Sequence, residues 1–207
     1  MIAIVDYGVG NLFSLSRSLA YVGADVCVTG DREKIKRADK ILLPGVGAFG
    51  DAIKKLRAAC LDEVLVSEAK KGKPILGICL GMQLLFDKSF EYGEHTGLGL
   101  IKGEIRPIAD KIEKNLKVPH IGWNSLSFPQ KGRLFEGFSR EPYVYFVHSY
   151  YLKAEEDIVT ARTEYGVSID ASVEKGNLFA CQFHPEKSSE AGLKILENFV
   201  RLGREGN

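Results

Sequence analysis

The fold is decided by one stretch of the chain, Lys73-Pro74-Ile75-Leu76-Gly77-Ile78-Cys79-Leu80-Gly81-Met82-Gln83-Leu84-Leu85-Phe86. Its first half is a short apolar run after a proline, which is typical of a strand buried on both faces of a parallel sheet. Its second half has apolar residues near helical spacing and predicts a helix. A buried strand that leads directly into a helix indicates an α/β fold.

Cys79 lies at the junction of this strand and helix, in the pattern Gly77-x-Cys79-x-Gly81. The serine form of the pattern is the nucleophile elbow, a sharp turn that exposes the reactive side chain at the end of a sheet. A helix that starts right after the cysteine turns its free N–H groups toward the sulfur and favours the thiolate. The alternative is a small core residue, since free cysteine is among the most buried residue types.

The composition excludes several classes of protein. The chain has 207 residues, 28 of them basic and 27 acidic, and its net charge of +1 gives no electrostatic reason to expect nucleic acid or anionic membrane. Its four cysteines are far apart and lack Cys-x-x-Cys spacing, so we expect neither a metal nor a redox pair, and no cofactor. Without a signal peptide or an apolar run near ~18 residues, the chain is predicted to be soluble and cytoplasmic.

Strand and helix alternate in the first half of the sequence. Predicted strands cover residues 2–5, 25–29 and 41–43 and the run before Cys79, and helices cover 11–22 and 49–71, the latter as one or two helices. Such alternation implies right-handed crossovers and a parallel sheet that is covered on both faces. Ligands of such sheets bind at the carboxyl ends of the strands, where Cys79 lies.

The second half is predicted to be richer in antiparallel strands. Residues 91–103 are turn-rich and predict a loop, whereas 143–150 have β-propensity throughout. Strands at 158–164, 167–173 and 178–183 are joined by tight turns that favour hairpins. A closing helix over 188–202 has Ser188 or Ser189 as a candidate N-cap. No linker divides the chain, which predicts a single domain over 1–207.

A glycine loop, Gly45-Val46-Gly47, follows the third predicted strand. With Gly50 it matches a dinucleotide-binding fingerprint, but that motif belongs on the first strand, with an acidic residue ~20 residues further on. The other interpretation is a loop whose backbone N–H groups hold an anion or an oxyanion.

A second chemical motif, Phe183-His184-Pro185-Glu186, lies at the end of another apolar strand. In extended backbone His184 and Glu186 point the same way, so the carboxylate can reach the imidazole and fix its tautomer. Together with Cys79 this predicts a nucleophile, a base and a residue that orients the base.

These motifs resemble the class I (triad-type) glutamine amidotransferase family, and Pro44-Gly45-Val46-Gly47 resembles the family's oxyanion loop. Four segments further resemble the glutaminase subunits of imidazole glycerol phosphate synthases: Asp6-Tyr7-Gly8-Val9-Gly10-Asn11, Pro44-Gly45-Val46-Gly47-Ala48-Phe49-Gly50, Pro119-His120-Ile121-Gly122-Trp123-Asn124 and Tyr145-Phe146-Val147-His148-Ser149-Tyr150. The resemblance implies the flavodoxin-like fold of that family, a mostly parallel central sheet flanked by helices, with antiparallel strands in the C-terminal half.

The resemblance also implies an activity, the hydrolysis of glutamine to glutamate and ammonia. The implied catalytic residues are Cys79, His184 and Glu186. The implied oxyanion hole comprises Gly45, Val46, Gly47 and Leu80. The implied glutamine-binding residues are Gln83, Glu91, His148, Ser149 and Tyr150. For Glu91, a solvated loop acid is the alternative.

By the same resemblance the ammonia passes to a (β/α)8-barrel cyclase or synthase subunit, forming a heterodimer that acts on a ribulosyl aminoimidazole-carboxamide nucleotide in histidine biosynthesis. Trp123, Asn124, Tyr145 and Lys187 are candidates for the partner interface, with core packing as the alternative for both aromatics. Three other functions stay open: a paralogue that serves a different synthase, a stand-alone cysteine hydrolase of γ-glutamyl or peptide bonds, and a non-catalytic or dinucleotide-binding module.

Overall fold

A computed structural model of the chain describes residues 1–113 and 116–203. Its helices are α1 (Leu12–Tyr21), α2 (Arg32–Arg37), α3 (Phe49–Ala58), α4 (Leu61–Lys70), α5 (Leu80–Leu84) and α6 (Ser189–Arg201). Its strands are β1 (Ile2–Val5), β2 (Val26–Thr29), β3 (Lys40–Leu43), β4 (Ile75–Ile78), β5 (Phe86–Ser89), β6 (His95–Thr96), β7 (Ile101–Pro107), β8 (His120–Ser125), β9 (Tyr143–His148), β10 (Tyr150–Ala154), β11 (Val159–Glu164), β12 (Ser168–Lys175) and β13 (Leu178–Cys181).

The central sheet has the strand order β2-β1-β3-β4-β13-β12-β10-β7-β5-β6, and β11 pairs with β12 beside this path. The five strands from β2 to β13 run parallel to their neighbours. Beyond β13, the pairings of β12, β10 and β7 are antiparallel, including the predicted hairpins of β11 with β12 and of β12 with β13. The mostly parallel sheet with antiparallel strands in the C-terminal half is therefore confirmed.

Helices cover both faces of the parallel part of the sheet. One core cluster includes apolar side chains of α3 and α4, and the other includes Leu15 and Leu19 of α1 with Ile195 and Phe199 of α6. Between these layers every residue of β1, β3, β4 and β13 is buried. This two-sided burial explains why those strands, apart from Lys40 at the start of β3, are continuous apolar runs in the sequence.

The structure differs from the sequence-based prediction after the elbow. The helix predicted through Phe86 ends at Leu84, and Phe86 begins β5, which pairs with β7 in the register Phe86↔Ile101. The predicted loop over 91–103 contains β6 and the first residues of β7. At Phe86, pairing with the distant strand β7 overrides the local helical propensity. The spacing of apolar residues does not reveal this pairing.

One short helix and one helix terminus also differ from expectation. The short helix α2 was not predicted, although Asp31 caps it by accepting from the N–H groups of Glu33 and Lys34. At the start of α6, Ser188 makes no side-chain capping bond. Its hydroxyl instead donates to His184 O at 2.6 Å and accepts from Tyr145 N at 3.0 Å. Ser188 therefore joins the end of β13 to β9 rather than capping a helix.

Strands β8 and β9 form a separate antiparallel pair, with Trp123 opposite Tyr145 and His120 opposite His148. This two-stranded sheet lies beside the carboxyl end of β13, where the His184 N–H donates to Tyr145 O at 3.0 Å. Among the described residues, no helix is long and apolar enough to cross a membrane.

Candidate active site

Cys79 lies on the sharp turn between β4 and α5. Its φ is +55°, a backbone conformation that residues other than glycine rarely adopt. The turn needs glycine on both sides. A Cβ on Gly77 would lie 2.8 Å from Gly81 O, and a Cβ on Gly81 would lie 1.8 Å from Leu43 O. The elbow predicted from the Gly-x-Cys-x-Gly pattern is therefore present, and its strain holds the sulfur at the carboxyl edge of the sheet.

His184 reaches Cys79 because β13 lies next to β4, with Cys181 paired in parallel with Ile78. Three residues after that pair, the imidazole Nδ1 lies 2.9 Å from Glu186 Oε1. The side chains of both residues are 3% exposed, so this is a buried pair. The carboxylate fixes the tautomer or charge of the ring, as the spacing of His184 and Glu186 predicts.

The electrostatics of His184 favour the protonated ring. Burial alone lowers the pKa of His184, but its interactions with Cys79 and Glu186 outweigh burial and raise the pKa to about 10. Across residues 1–113 and 116–203, the buried side-chain nitrogen and oxygen atoms without a hydrogen-bond partner are His184 Nε2 and Glu186 Oε2. Buried polar atoms without partners are rare, and a catalytic role is one of their recognised explanations.

A cleft of about 300 Å³ opens beside Cys79 and His184. The predicted site residues in its wall are Val46, Gly47, Leu80, Gln83, Glu91, His148, Ser149 and Tyr150. Gly45 lies behind this wall, where a Cβ would approach Gly81 N and the Tyr7 hydroxyl to 2.8 Å. The structure thus brings the glycine loop, the elbow and the His-Pro-Glu motif to one concave site.

The family model for class I glutamine amidotransferases matches residues 3–202 of this chain. The chain belongs to that family. The match includes Cys79, His184, Glu186 and the glycine loop, so one family accounts for every motif at the cleft.

Known relatives and structures agree with this amidotransferase assignment. The chain is 51% identical over 203 residues to the imidazole glycerol phosphate synthase subunit HisH of Caldanaerobacter subterraneus subsp. tengcongensis, covering 98% of each chain. It is 50% identical to the HisH subunit of Aquifex aeolicus, covering 96% of this chain and 95% of that one. Its fold is similar to the structure of PurLQS from Thermotoga maritima, with a TM-score of 0.75 at 22% identity and 97% coverage of both chains.

A row of hydrogen bonds behind the amidotransferase cleft uses both ring nitrogens of His148. Nδ1 lies 2.8 Å from Tyr150 O, and Nε2 lies 2.9 Å from Nδ1 of His120. His120 Nε2 in turn lies 2.9 Å from Asn124 Oδ1. Burial lowers the pKa of His148 to about 4, so its side chain forms a neutral wall of the cleft at neutral pH.

The predicted interface residues separate into two faces of the β8–β9 pair. Trp123 is 48% exposed, its ring centroid is 6.0 Å from that of Tyr145, and the Lys187 ammonium lies 5.7 Å from the Tyr145 centroid. These three side chains form a continuous surface near His184. Asn124 differs because it lies on the opposite face, where its amide also donates to Glu164 O at 2.9 Å.

Sequence reasoning missed two polar side chains of this amidotransferase site. The Tyr7 hydroxyl donates to Pro44 O at 2.8 Å and so holds the start of the glycine loop. Burial and the neighbouring Cys79 raise the pKa of Tyr7 above its usual range. Gln182 is fully buried and contacts both Cys79 and Gln83. Tyr7 lies at the end of β1 and Gln182 lies two residues before His184, so position at a strand end is the signal that could have identified both.

Proposed function

We propose that this chain is the glutaminase subunit of imidazole glycerol phosphate synthase, hydrolysing glutamine and supplying ammonia for histidine biosynthesis. The observation that carries the chemistry is a buried imidazole, paired with Glu186, whose free Nε2 shares a cleft with the strained Cys79. The relatives at about half identity over nearly the whole chain support the choice of synthase. The functional unit is a single domain over 1–207, of which 114–115 and 204–207 lie outside the described residues.

The proposed reaction runs through a thioester. The Cys79 thiolate, paired with protonated His184, attacks the side-chain carboxamide carbon of glutamine. N–H groups of the Gly45-Val46-Gly47 loop and of Leu80 hold the oxyanion, each donor worth roughly 3 kcal/mol. His184 gives its proton to the departing ammonia. It then takes a proton from the water that attacks the thioester, and glutamate leaves with the thiolate restored.

Five residues of the cleft wall are assigned to glutamine. Gln83 and Glu91 recognise the backbone groups of the substrate, and His148, Ser149 and Tyr150 form the opposite wall. Glu91 is well placed for this role because its carboxylate also accepts from Phe49 N at the start of α3, directly after the glycine loop. Burial raises the pKa of Glu91, and a cationic group such as the α-ammonium of glutamine would stabilise its charged form.

Ammonia made here needs a consumer, and we assign that role to a (β/α)8-barrel cyclase subunit, with which the complete complex acts as a lyase. The heterodimer interface comprises Trp123, Tyr145 and Lys187, and the exposed Lys187 ammonium is placed to meet an acidic group of the partner. No cofactor takes part. A cytoplasmic location fits this chemistry, since a free catalytic thiol requires reducing surroundings.

The nucleophile is tested by substitution and by labelling. We expect Cys79→Ala to abolish glutamine hydrolysis without loss of the fold. The glutamine-like electrophile diazo-oxo-norleucine should label Cys79 and spare Cys27, Cys60 and Cys181, as mapped by mass spectrometry. Cys60→Ser, at an exposed position, is the control that keeps wild-type activity. Labelling of another cysteine would contradict the assignment.

Dependence on the partner is tested by measuring glutaminase rates for the chain alone and with the synthase subunit and its nucleotide. We expect slow hydrolysis alone and strong stimulation, because a glutaminase that ran freely would waste ammonia. A peptide flip at Val46, between two glycines, is the proposed switch, and Gly47 already has a φ of +92°. Val46→Pro removes the N–H and should reduce stimulation. Full activity of the isolated chain would instead favour the stand-alone cysteine hydrolase.

A further inference from the structure

The carboxamide of Gln182 lies between the nucleophile and the proposed substrate-binding residue Gln83. It is fully buried. Its Nε2 lies 3.6 Å from Cys79 Sγ, within the range of N–H···S hydrogen bonds. Its Oε1 accepts from Gln83 Nε2 at 3.0 Å. The main chain at Gln182 is held as well, since its N–H donates to Ala171 O on β12.

Gln83 determines which end of the Gln182 amide faces the sulfur. The NH2 group of Gln83 can only donate, so it requires the oxygen end of Gln182, and the NH2 of Gln182 is thereby directed at Cys79. Reversing one amide alone would place two donors or two acceptors against each other. The two amides can therefore reverse only together, and the arrangement in the structure presents a donor to the sulfur.

We propose that Gln182 is a further catalytic residue, whose Nε2–H donates to Cys79 Sγ and stabilises the thiolate, with Gln83 as its positioning residue. This inference rests on Cys79 being the nucleophile of the proposed function. A hydrogen bond to the charged form of an acid favours that form, and it is stronger in a buried, low-dielectric site. The bond is weaker once the sulfur is neutral in the thioester, so Gln182 favours the thiolate as both nucleophile and leaving group.

The groups around the sulfur show what Gln182 adds. His184, backed by Glu186, faces Cys79 from the loop after β13. The phenol of Tyr7 and the thiol of Cys181 also interact with Cys79 electrostatically. Val147 O of β9 lies 4.0 Å from the sulfur. Of these neighbours His184 moves the proton, whereas Gln182 offers an uncharged donor that stays protonated at any working pH. Gln182 thus stabilises the charge of the thiolate without taking part in the proton transfers.

The test is the pH profile of Cys79 alkylation by iodoacetamide in the full chain, since this small electrophile reports the thiolate without needing glutamine. Gln182→Met keeps the side-chain length but removes the donor. We expect the midpoint of alkylation to move about one pH unit upward, with alkylation about tenfold slower at pH values below the wild-type midpoint, the effect of one hydrogen bond to a charged group. The kcat for glutamine should fall in parallel, with KM little changed.

Two further variants keep the test decisive. Gln83→Met removes the positioning donor and leaves Gln182 in place, so it should shift the alkylation midpoint in the same direction by less, while raising KM. Gln130→Met is the matched control, because the Gln130 amide bonds Val159 O away from the cleft, and its alkylation profile should equal that of the wild type.

The direction in which Gln182→Met moves the pH midpoint of Cys79 alkylation decides the outcome. If Gln182 presented its oxygen to a neutral thiol instead, Gln182→Met would move the midpoint downward, and an unchanged midpoint would mean that the amide has no effect on the sulfur. Either result overturns the proposal. Failure of the proposed function is separate, since it would appear as glutamine hydrolysis that survives Cys79→Ala. Should Gln182→Met not fold, the Gln83→Met midpoint carries the test, and no shift there refutes the positioning role.

Discussion

The described chain contains two buried histidine sites within one small region, and only one has the features of a catalytic base. His184 pairs one ring nitrogen with Glu186 and leaves the other free, and its pKa is raised to about 10. His148 has both ring nitrogens occupied, by His120 and Tyr150 O, and burial lowers its pKa to about 4. A neighbouring carboxylate and an unused nitrogen distinguish His184, the proposed base, from His148.

The largest effect should come from comparing alanine substitutions at the two histidine sites, His184 in one and His120, the partner of His148, in the other. His184→Ala should lower kcat by on the order of 10⁴-fold or more, because members of a catalytic triad act as a unit. His120→Ala should instead lower stability by roughly 2–4 kcal/mol, as for other large buried truncations, with far less effect on kcat in the folded fraction. Steady-state glutaminase assays and thermal unfolding of both variants measure this. Equal losses of kcat would remove the distinction.

A smaller loss is expected when the carboxylate behind His184 is neutralised. Glu186→Gln keeps the shape but removes the charge that raises the His184 pKa, so the protonated ring is lost at lower pH. We expect kcat to fall roughly 10- to 100-fold less than in His184→Ala, since loss of the orienting acid alone costs less than loss of the base. The alkaline limb of the pH–rate profile should move to lower pH. Activity as low as that of His184→Ala would mean that Glu186 does more than orient and stabilise the ring.

The sequence predicted the catalytic edge better than the region around it. Cys79 and the His184–Glu186 pair follow from local spacing, since an elbow needs flanking glycines and residues two apart in extended chain share a side. The apolar runs of the parallel strands were equally readable, because burial on both faces leaves no polar alternation.

The parts that sequence reasoning missed depend on partners far along the chain. The amide of Gln182 acquires its role from Gln83, 99 residues away. Asn124 is predicted as a candidate interface residue, and spacing gives no sign of its bond to Glu164 O, 40 residues later. Phe86 continues a helical pattern until its pairing with Ile101 in β7 makes it a strand residue. Spacing within one segment carries no information on such long-range pairing.

The pKa of His148 is lowered and that of His184 is raised, so the two residues predict opposite pH dependences of stability. His148 has a folded pKa below its unfolded value near 6.5, so between pH 6.5 and 4 the unfolded chain binds a proton that the folded chain does not. Stability should therefore fall by up to about 3 kcal/mol as pH drops through this window. His184, with its raised pKa, stabilises the fold below pH 6.5 and loses that contribution as pH rises toward 10.

The variant His148→Gln isolates the acid-side effect. Denaturant unfolding at pH 7 and pH 4.5 should show a smaller difference in the free energy of unfolding for this variant than for the wild type, because the position no longer titrates. His95→Gln, at a partly exposed site on β6, is the control and should keep the wild-type difference. If His148→Gln and the wild type lost the same free energy of unfolding between pH 7 and pH 4.5, the His148 ring would not be the cause of the loss of stability in acid.

The smallest effect concerns Asn124. It follows from counting the protons in the row of hydrogen bonds that joins Asn124, His120 and His148. The row begins and ends at carbonyl oxygens, Glu164 O and Tyr150 O, and contains four contacts. One proton from the Asn124 amide and one from each neutral ring, His120 and His148, make three. With both rings neutral, the four contacts therefore share three protons, and one contact of the row lacks a proton.

We accordingly expect Asn124→Ala to cost about 1–2 kcal/mol of stability at pH 7, the value of one or two neutral hydrogen bonds. The cost should grow as the pH falls, because protonation of a ring supplies the fourth proton and all four contacts of the row can then form. Stacking of His120 on Tyr165, at 4.0 Å between centroids, favours that added charge. Chemical denaturation of wild type and variant at pH 7 and pH 4.5 measures the difference. An equal cost at pH 7 and pH 4.5 would mean that the row gains no proton between these two pH values.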